Sequence, residues 1–169
     1  MKSVIGRVKF LTVEEGGQNN LPRDGFSNPV IFDDDRELAH GMWSIRVNLI
    51  TRYNESREAI ARFSFLFSEN PAVPNHLLYE GSRFVFLTNR PVAQCHITHV
   101  IEEGKNSWFC PGIEAVIAEG LCWEYCFADN ISPLDATKEL NDWIQQTRKF
   151  KDISDFHKVC QICTHCQWS

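Results

Sequence analysis

The chain lacks any apolar run long enough to cross a lipid bilayer, and it lacks an apolar segment at its beginning. A membrane-spanning helix needs about 20 mostly apolar residues. The first residues, Met1 to Val4, lead directly into an alternating pattern that is typical of a strand. A secretory leader would show an apolar stretch and a small-residue cleavage site there. We therefore expect a cytoplasmic protein without a membrane partner.

Two further absences concern positive charge and catalytic motifs. The 17 basic residues are outnumbered by 22 acidic ones, which gives a net charge of −5. This balance argues against a protein that neutralises nucleic-acid phosphates over a broad surface. The phosphate-binding pattern G-x-x-x-x-G-K-[ST] does not occur, and no Ser/His/Asp set or paired-carboxylate motif stands out. The sequence favours a binding protein over an enzyme, and a protein partner over nucleic acid.

Cysteine, by contrast, occurs seven times and is unevenly distributed. In a reducing cytoplasm, such cysteines more often bind metals or perform redox chemistry than form disulfides. Cys95 stands alone, whereas the other six lie in the last third of the chain. Their C-x3-C and C-x2-C-x2-C spacings bring thiols together at little cost in chain entropy. The candidate metal ligands are Cys110, Cys122, Cys126, Cys160, Cys163 and Cys166.

Six stretches in the first hundred residues have the apolar content or the alternation of strands. They lie at residues 4–13, 30–32, 42–50 and 60–68, and in two strands over 83–101 that flank Asn89 to Pro91. Short connections rich in Gly, Asn and Pro separate them, and no helical pattern is convincing. We predict a small antiparallel β-barrel over residues 1–103.

The same region carries motifs of a known family. They are residues 8–17, which end in Glu-Glu-Gly-Gly, then Gly25-Phe26 and Pro29, and farther on residues 80–84 and 89–93. The order and separation of these motifs resemble those in the third domain of elongation factor Tu. The resemblance covers residues 4–101. The resemblance implies the barrel fold and a surface for RNA or protein partners. It does not imply GTP hydrolysis, because no phosphate-binding loop is present.

Beyond the polar segment 102–107, the periodicity changes to that of helices. The pattern predicts a helix over 113–121 that extends through Phe127, a second beginning at Ser132-Pro133, and a third capped by Asp152 or Ser154. We therefore predict a small helical, cysteine-rich module over residues 104–169. Together with the barrel, it makes the expected fold class α+β.

The cysteine spacing predicts a structural zinc site in this module. Tetrahedral zinc needs four thiolate or imidazole ligands. Four of the six cysteines can supply them, or cysteines together with His157 or His165. A 4Fe-4S cluster is the alternative, because C-x2-C-x2-C and the pair Cys110-Pro111 are similar to ferredoxin ligation. Buried or redox-active thiols without a metal are the third possibility.

These observations predict a non-enzymatic, cytoplasmic binding or interaction protein whose C-terminal module is held together by zinc. No catalytic residues are predicted. The first alternative is a redox or iron–sulfur protein that uses the same cysteines. The second alternative, an RNA- or ribosome-associated factor, is implied only by the family resemblance.

Overall fold

The residues described by the computed structural model of the protein are 3–101, 106–128 and 135–166. The chain divides into two compact units, Met1–Glu102 and Glu103–Ser169. Most of the polar segment predicted between barrel and module, and the helix start predicted at Ser132-Pro133, lie outside the described residues.

The first unit is a closed barrel of six antiparallel strands. The strands are β1 (Ser3–Phe10), β2 (Ser27–Phe32), β3 (Trp43–Leu49), β4 (Glu58–Phe65), β5 (Arg83–Leu87) and β6 (Pro91–Ile101). Their order around the barrel is β1-β4-β3-β2-β5-β6, and β1 also pairs with β6 to close it. The predicted barrel is confirmed, including the connection predicted between β5 and β6.

Alternating burial explains why these segments form barrel strands. Every second side chain of a strand points to the same face of the sheet. The buried positions of β4 are Ala59, Ala61, Phe63 and Phe65. Aromatic rings fill the interior between the strands. Phe84 packs edge-to-face on Phe63 and Phe86, with ring centroids 5.4 and 5.5 Å apart, and such pairs add about 0.5–1.5 kcal/mol each to the energy of burial.

Raising the pH is expected to destabilise the barrel through Cys95. Its side chain lies in the barrel core, and burial raises the pKa of the thiol well above its ordinary value of 9.0. The thiol therefore ionises first in the unfolded chain. Its contribution to stability is complete below pH 9.0 and is lost as the pH rises further, by about 1.4 kcal/mol per pH unit for one group.

The measurement is the urea midpoint of the barrel between neutral and alkaline pH, compared with Cys95→Ala. The variant loses some packing at every pH, but its stability should fall less steeply in the alkaline range. Equal slopes for the two proteins would show that Cys95 does not cause the effect.

The second unit begins with a β-hairpin where the sequence predicted a helix. Its strands are β7 (Ser107–Cys110) and β8 (Ala115–Ala118), paired antiparallel. The predicted helix over 113–121 is therefore wrong in its first two-thirds, and the module is not purely helical. The β-branched residues Val116 and Ile117 favour a strand. A short apolar run fits both periodicities, so spacing alone cannot identify it.

Three helices follow the hairpin in the part of the chain that the structure describes. They are α1 (Glu119–Phe127), α2 (Asp135–Thr147) and α3 (Ile153–Ile162). The carboxylate of Asp152 accepts a hydrogen bond of 2.9 Å from the backbone N–H of Asp155, so Asp152 is the cap of α3. Leu140 and Ile144 of α2 share a separate core with Phe156 of α3. None of the helices in the described ranges is long and apolar enough to cross a membrane.

Candidate functional site

The second unit gathers the six tail cysteines, here called the thiol cluster, at its hairpin and helix ends. Strand β7 ends in one of them, α1 carries two, and α3 and the turn after it carry three. The members are Cys110, Cys122, Cys126, Cys160, Cys163 and Cys166. The seventh cysteine, Cys95, lies on β6 of the barrel.

Cys126 joins helix α1 to α3 and the turn that follows α3. Its thiol interacts with the thiols of Cys122, Cys160 and Cys166. Cys122 and Cys126 are four residues apart on α1 and therefore share one face of the helix, as the spacing predicted. Cys160 belongs to α3 and Cys166 to the following turn. The contacts of Cys126 thus bring together residues that are about 35 to 40 positions apart in the chain.

Backbone N–H groups point at two of the sulfur atoms. The sulfur of Cys110 accepts from Gly112 and Ile113, the second and third residues after it. The sulfur of Cys163 accepts from the second and third residues after it in the same way. Such donors favour the thiolate, which is the form that binds a metal ion.

Burial and contacts between thiols oppose ionisation in this cluster. Desolvation raises the pKa of Cys110 to about 11 in spite of the two backbone donors. A hydrogen bond with Cys126, together with burial, raises the pKa of Cys122 well above its ordinary value. The thiols of Cys110 and Cys122 are therefore protonated at neutral pH when no metal is bound. Because a metal ion would displace these protons, its affinity must fall with falling pH.

Two small cavities open between the cysteines. The first has a volume of about 10 Å³ and is lined by Cys110, Cys122, Cys126, Cys160 and Cys163. That is close to the smallest space that holds one water molecule, and it suits a single ion. The second has a volume of about 150 Å³ and lies between Cys122, Cys126, Cys166 and His165.

The indole ring of Trp108 lines both cavities, and its N–H group lacks an acceptor among the described residues. Its Nε1 is buried and has no hydrogen-bond partner in the described part of the chain. The group nevertheless lies close enough to Cys122 to favour the thiolate there. The indole ring stacks on the imidazole of His165, with ring centroids 4.5 Å apart and an interplanar angle of 4°. A thiolate at Cys122 would supply the missing acceptor. Nothing in the sequence pointed to Trp108, because its role depends on the hairpin.

The side chains do not yet form a finished metal site. Among residues 3–101, 106–128 and 135–166, no group of three or more His, Cys, Asp or Glu side chains is arranged to hold a metal ion. The thiol of Cys126 interacts with neighbouring thiols instead, whereas zinc ligation requires a Zn–S distance of about 2.3 Å. Ligation would therefore need rotations of the cysteine side chains. Of the two histidines considered, His165 lines a cavity, and His157 Nε2 lies 2.9 Å from the carbonyl oxygen of Tyr125.

Comparison with known proteins gives no assignment. No protein-family model matches the chain, and no curated protein matches it. The chemistry of the thiol cluster is therefore the basis for a functional proposal.

Substituting Gly112 tests whether the turn beside Cys110 is as tightly packed as the structure indicates. A Cβ atom at this position would lie 2.6 Å from Cε2 of Phe156. The Phe156 ring is fully buried and packs edge-to-face on Phe150 and Tyr125, so it has little room to move. We expect Gly112→Ala to destabilise the second unit by about 1–3 kcal/mol.

Gly120→Ala is the matched control for this prediction. A Cβ at Gly120 meets no atom within 4 Å, and the residue lies in α1. Removing a glycine from a helix stabilises it by up to about 1 kcal/mol. Urea unfolding followed by tryptophan fluorescence compares the two variants. Equal stability would contradict the packing of Phe156 against Gly112.

Proposed function

We propose that the second unit binds zinc through thiolates of the thiol cluster, and that the metal has a structural role. The observation that carries the proposal is the position of Cys126, whose thiol meets Cys122 from α1 as well as Cys160 and Cys166 from the end of the chain. A metal ion at this point would link α1 to α3 and the turn that follows it. Metal ligation contributes directly to the folding free energy of small domains.

The chemistry of the donors supports a thiophilic metal. Thiolate ligands favour zinc, copper(I) and iron–sulfur clusters over magnesium, calcium or manganese. The N–H groups beside Cys110 and Cys163, and the indole N–H near Cys122, can stabilise sulfur that carries negative charge. Such outer hydrogen bonds orient and tune the ligands of metal sites.

A zinc site made wholly of sulfur ligands is better suited to a structural role than to hydrolysis. Four thiolates close the coordination sphere of zinc, whereas catalytic zinc keeps a position for water or substrate. The core of the unit is also small. Its fully buried large side chains are Phe109, Leu140 and Phe156, and domains of this size commonly need a metal or disulfides to be stable.

For the barrel, we propose a role in binding a protein partner in the cytoplasm. The likeness of residues 4–101 to the third domain of elongation factor Tu supports this role. That likeness rests on sequence motifs and stays a prediction. The metal-bearing unit would then stabilise the chain without taking part in chemistry.

Elemental analysis with an absorption spectrum tests the metal proposal. The full chain is purified without oxygen or chelators. About one zinc per chain and no visible absorption is the expected result, since one closed site takes four thiolates. Iron with sulfide and a broad visible band would replace zinc by an iron–sulfur cluster and make redox chemistry the working function. Absence of both metals would contradict the proposal and leave thiol chemistry.

A further inference from the structure

The outer surface of the barrel carries a basic groove that lies outside the thiol cluster. Its volume is about 580 Å³, and it lies across β1, β5 and β6. Its cationic side chains are Arg7, Lys9, Arg36 and Arg83, and its carboxylates are Asp33 and Glu58. The groove is therefore positive, although the whole chain has a net charge of −5. Charge of this sign on an acidic protein calls for a specific explanation.

The strand register explains how the cations come together. Arg7 of β1 and Arg83 of β5 are both paired with His96 of β6. Side chains at paired positions stand on the same face of a sheet. Neighbouring strands are about 4.8 Å apart, so the two arginines flank the imidazole on the outside of the barrel. Two residues farther along each strand, Lys9 and Gln94 form the next pair on the same face and continue the row.

The two arginines of this row form no ion pair within the part of the chain that the structure describes. Neither Arg7 nor Arg83 forms an ion pair with another residue of the described ranges. Lys9 lies 3.4 Å from Glu58, with the lysine side chain half-exposed. Exposed pairs of this kind contribute little to stability and compete weakly with a ligand. Among the described residues, the groove therefore offers two guanidinium groups without an ion-pair partner.

We propose that this groove binds a small molecule that carries a phosphate group. Two guanidinium groups can bind phosphate oxygens with paired, charge-assisted hydrogen bonds. Gln94 and His96 add further hydrogen-bonding groups, and Val85 supplies an apolar contact for the rest of the ligand. The volume of about 580 Å³ falls within the range of small-molecule sites. This proposal is independent of the metal in the second unit.

The test is titration of the full chain with adenosine 5′-monophosphate and with inorganic pyrophosphate, followed by calorimetry and backbone amide NMR. We expect binding by at least one of them, with shifts of the amide signals of Arg7, Gln94 and His96. The variant Arg7→Gln/Arg83→Gln should weaken binding about ten-fold or more, because hydrogen bonds to charged groups are lost. Arg46→Gln is the matched control, since Arg46 is exposed on β3, and it should leave binding unchanged.

Three results would overturn the proposal. One is no binding of either probe. Another is binding at a different place, shown by an affinity that the double variant leaves intact or by amide shifts that lie elsewhere. The third is a single-stranded oligonucleotide that binds far more tightly than the mononucleotide and depends on the same arginines, because the groove would then be a nucleic-acid surface. If the double variant fails to fold, Arg7→Lys/Arg83→Lys keeps the charge but removes the paired hydrogen bonds, and it should still weaken binding.

Discussion

Replacing Cys126 by serine is expected to abolish stoichiometric zinc binding. Its thiol lies between those of Cys122, Cys160 and Cys166, so its loss separates the sulfur atoms of α1 from those at the end of the chain. Changes to groups that only support the ligands already cost 10- to 100-fold in metal affinity, roughly. Loss of a ligand should therefore cost more than about 100-fold. Competition with a chromophoric chelator measures this difference directly.

The control for this experiment is Cys95→Ala. Cys95 is a buried cysteine of the barrel, so the variant also removes one thiol but leaves the thiol cluster intact. It should retain wild-type zinc affinity. If Cys126→Ser also bound zinc with wild-type affinity, the proposed position of the metal would be wrong.

The second large effect is expected at Gly6 in the barrel. A Cβ at this position would meet the carbonyl oxygen of His96 and would lie 2.9 Å from Cα of Ile97. Both atoms belong to the backbone of β6, which closes the barrel against β1 and cannot shift without disturbing the register. We expect Gly6→Ala to destabilise the barrel by about 3 kcal/mol or more.

Such a loss corresponds to a fall in the melting temperature of more than about 10 °C for a unit of about 100 residues. Circular dichroism of the full chain measures it. Gly25→Ala provides the comparison, because Gly25 has φ 79° but no atom within 4 Å of the added Cβ. Its cost should be limited to the backbone conformation, about 1–2 kcal/mol. A larger loss for Gly25→Ala than for Gly6→Ala would contradict the close approach of β1 and β6.

The barrel could be predicted from the sequence because apolar and polar residues alternate along its strands. The structure shows the same alternation as buried and exposed side chains. Phe63 and Phe65 of β4 are two residues apart and both buried, and the period of two by itself indicates a strand with one face inward. The exposed residues could not be grouped in this way. Arg7 and Arg83 become neighbours only through their common pairing with His96. A local sequence pattern does not determine the register between strands that are distant in the chain.

The thiol cluster could be predicted only in part for a related reason. Cys122 and Cys126 are close because they share a helix, and local spacing is enough to see this. The environment of Cys110 depends on the hairpin formed by β7 and β8, whose short β-branched run also fits a helical period. The orphaned N–H of Trp108 could not be recognised before the hairpin placed it beside Cys122.

X-ray absorption at the zinc edge tests the central claim most directly. The full chain, purified without chelators, is measured as isolated and after removal of loosely bound metal. We expect a first shell of four sulfur atoms at about 2.3 Å from zinc. A shell dominated by nitrogen or oxygen at about 2.0–2.2 Å, or the loss of all zinc on gentle washing, would contradict a thiolate site in the second unit.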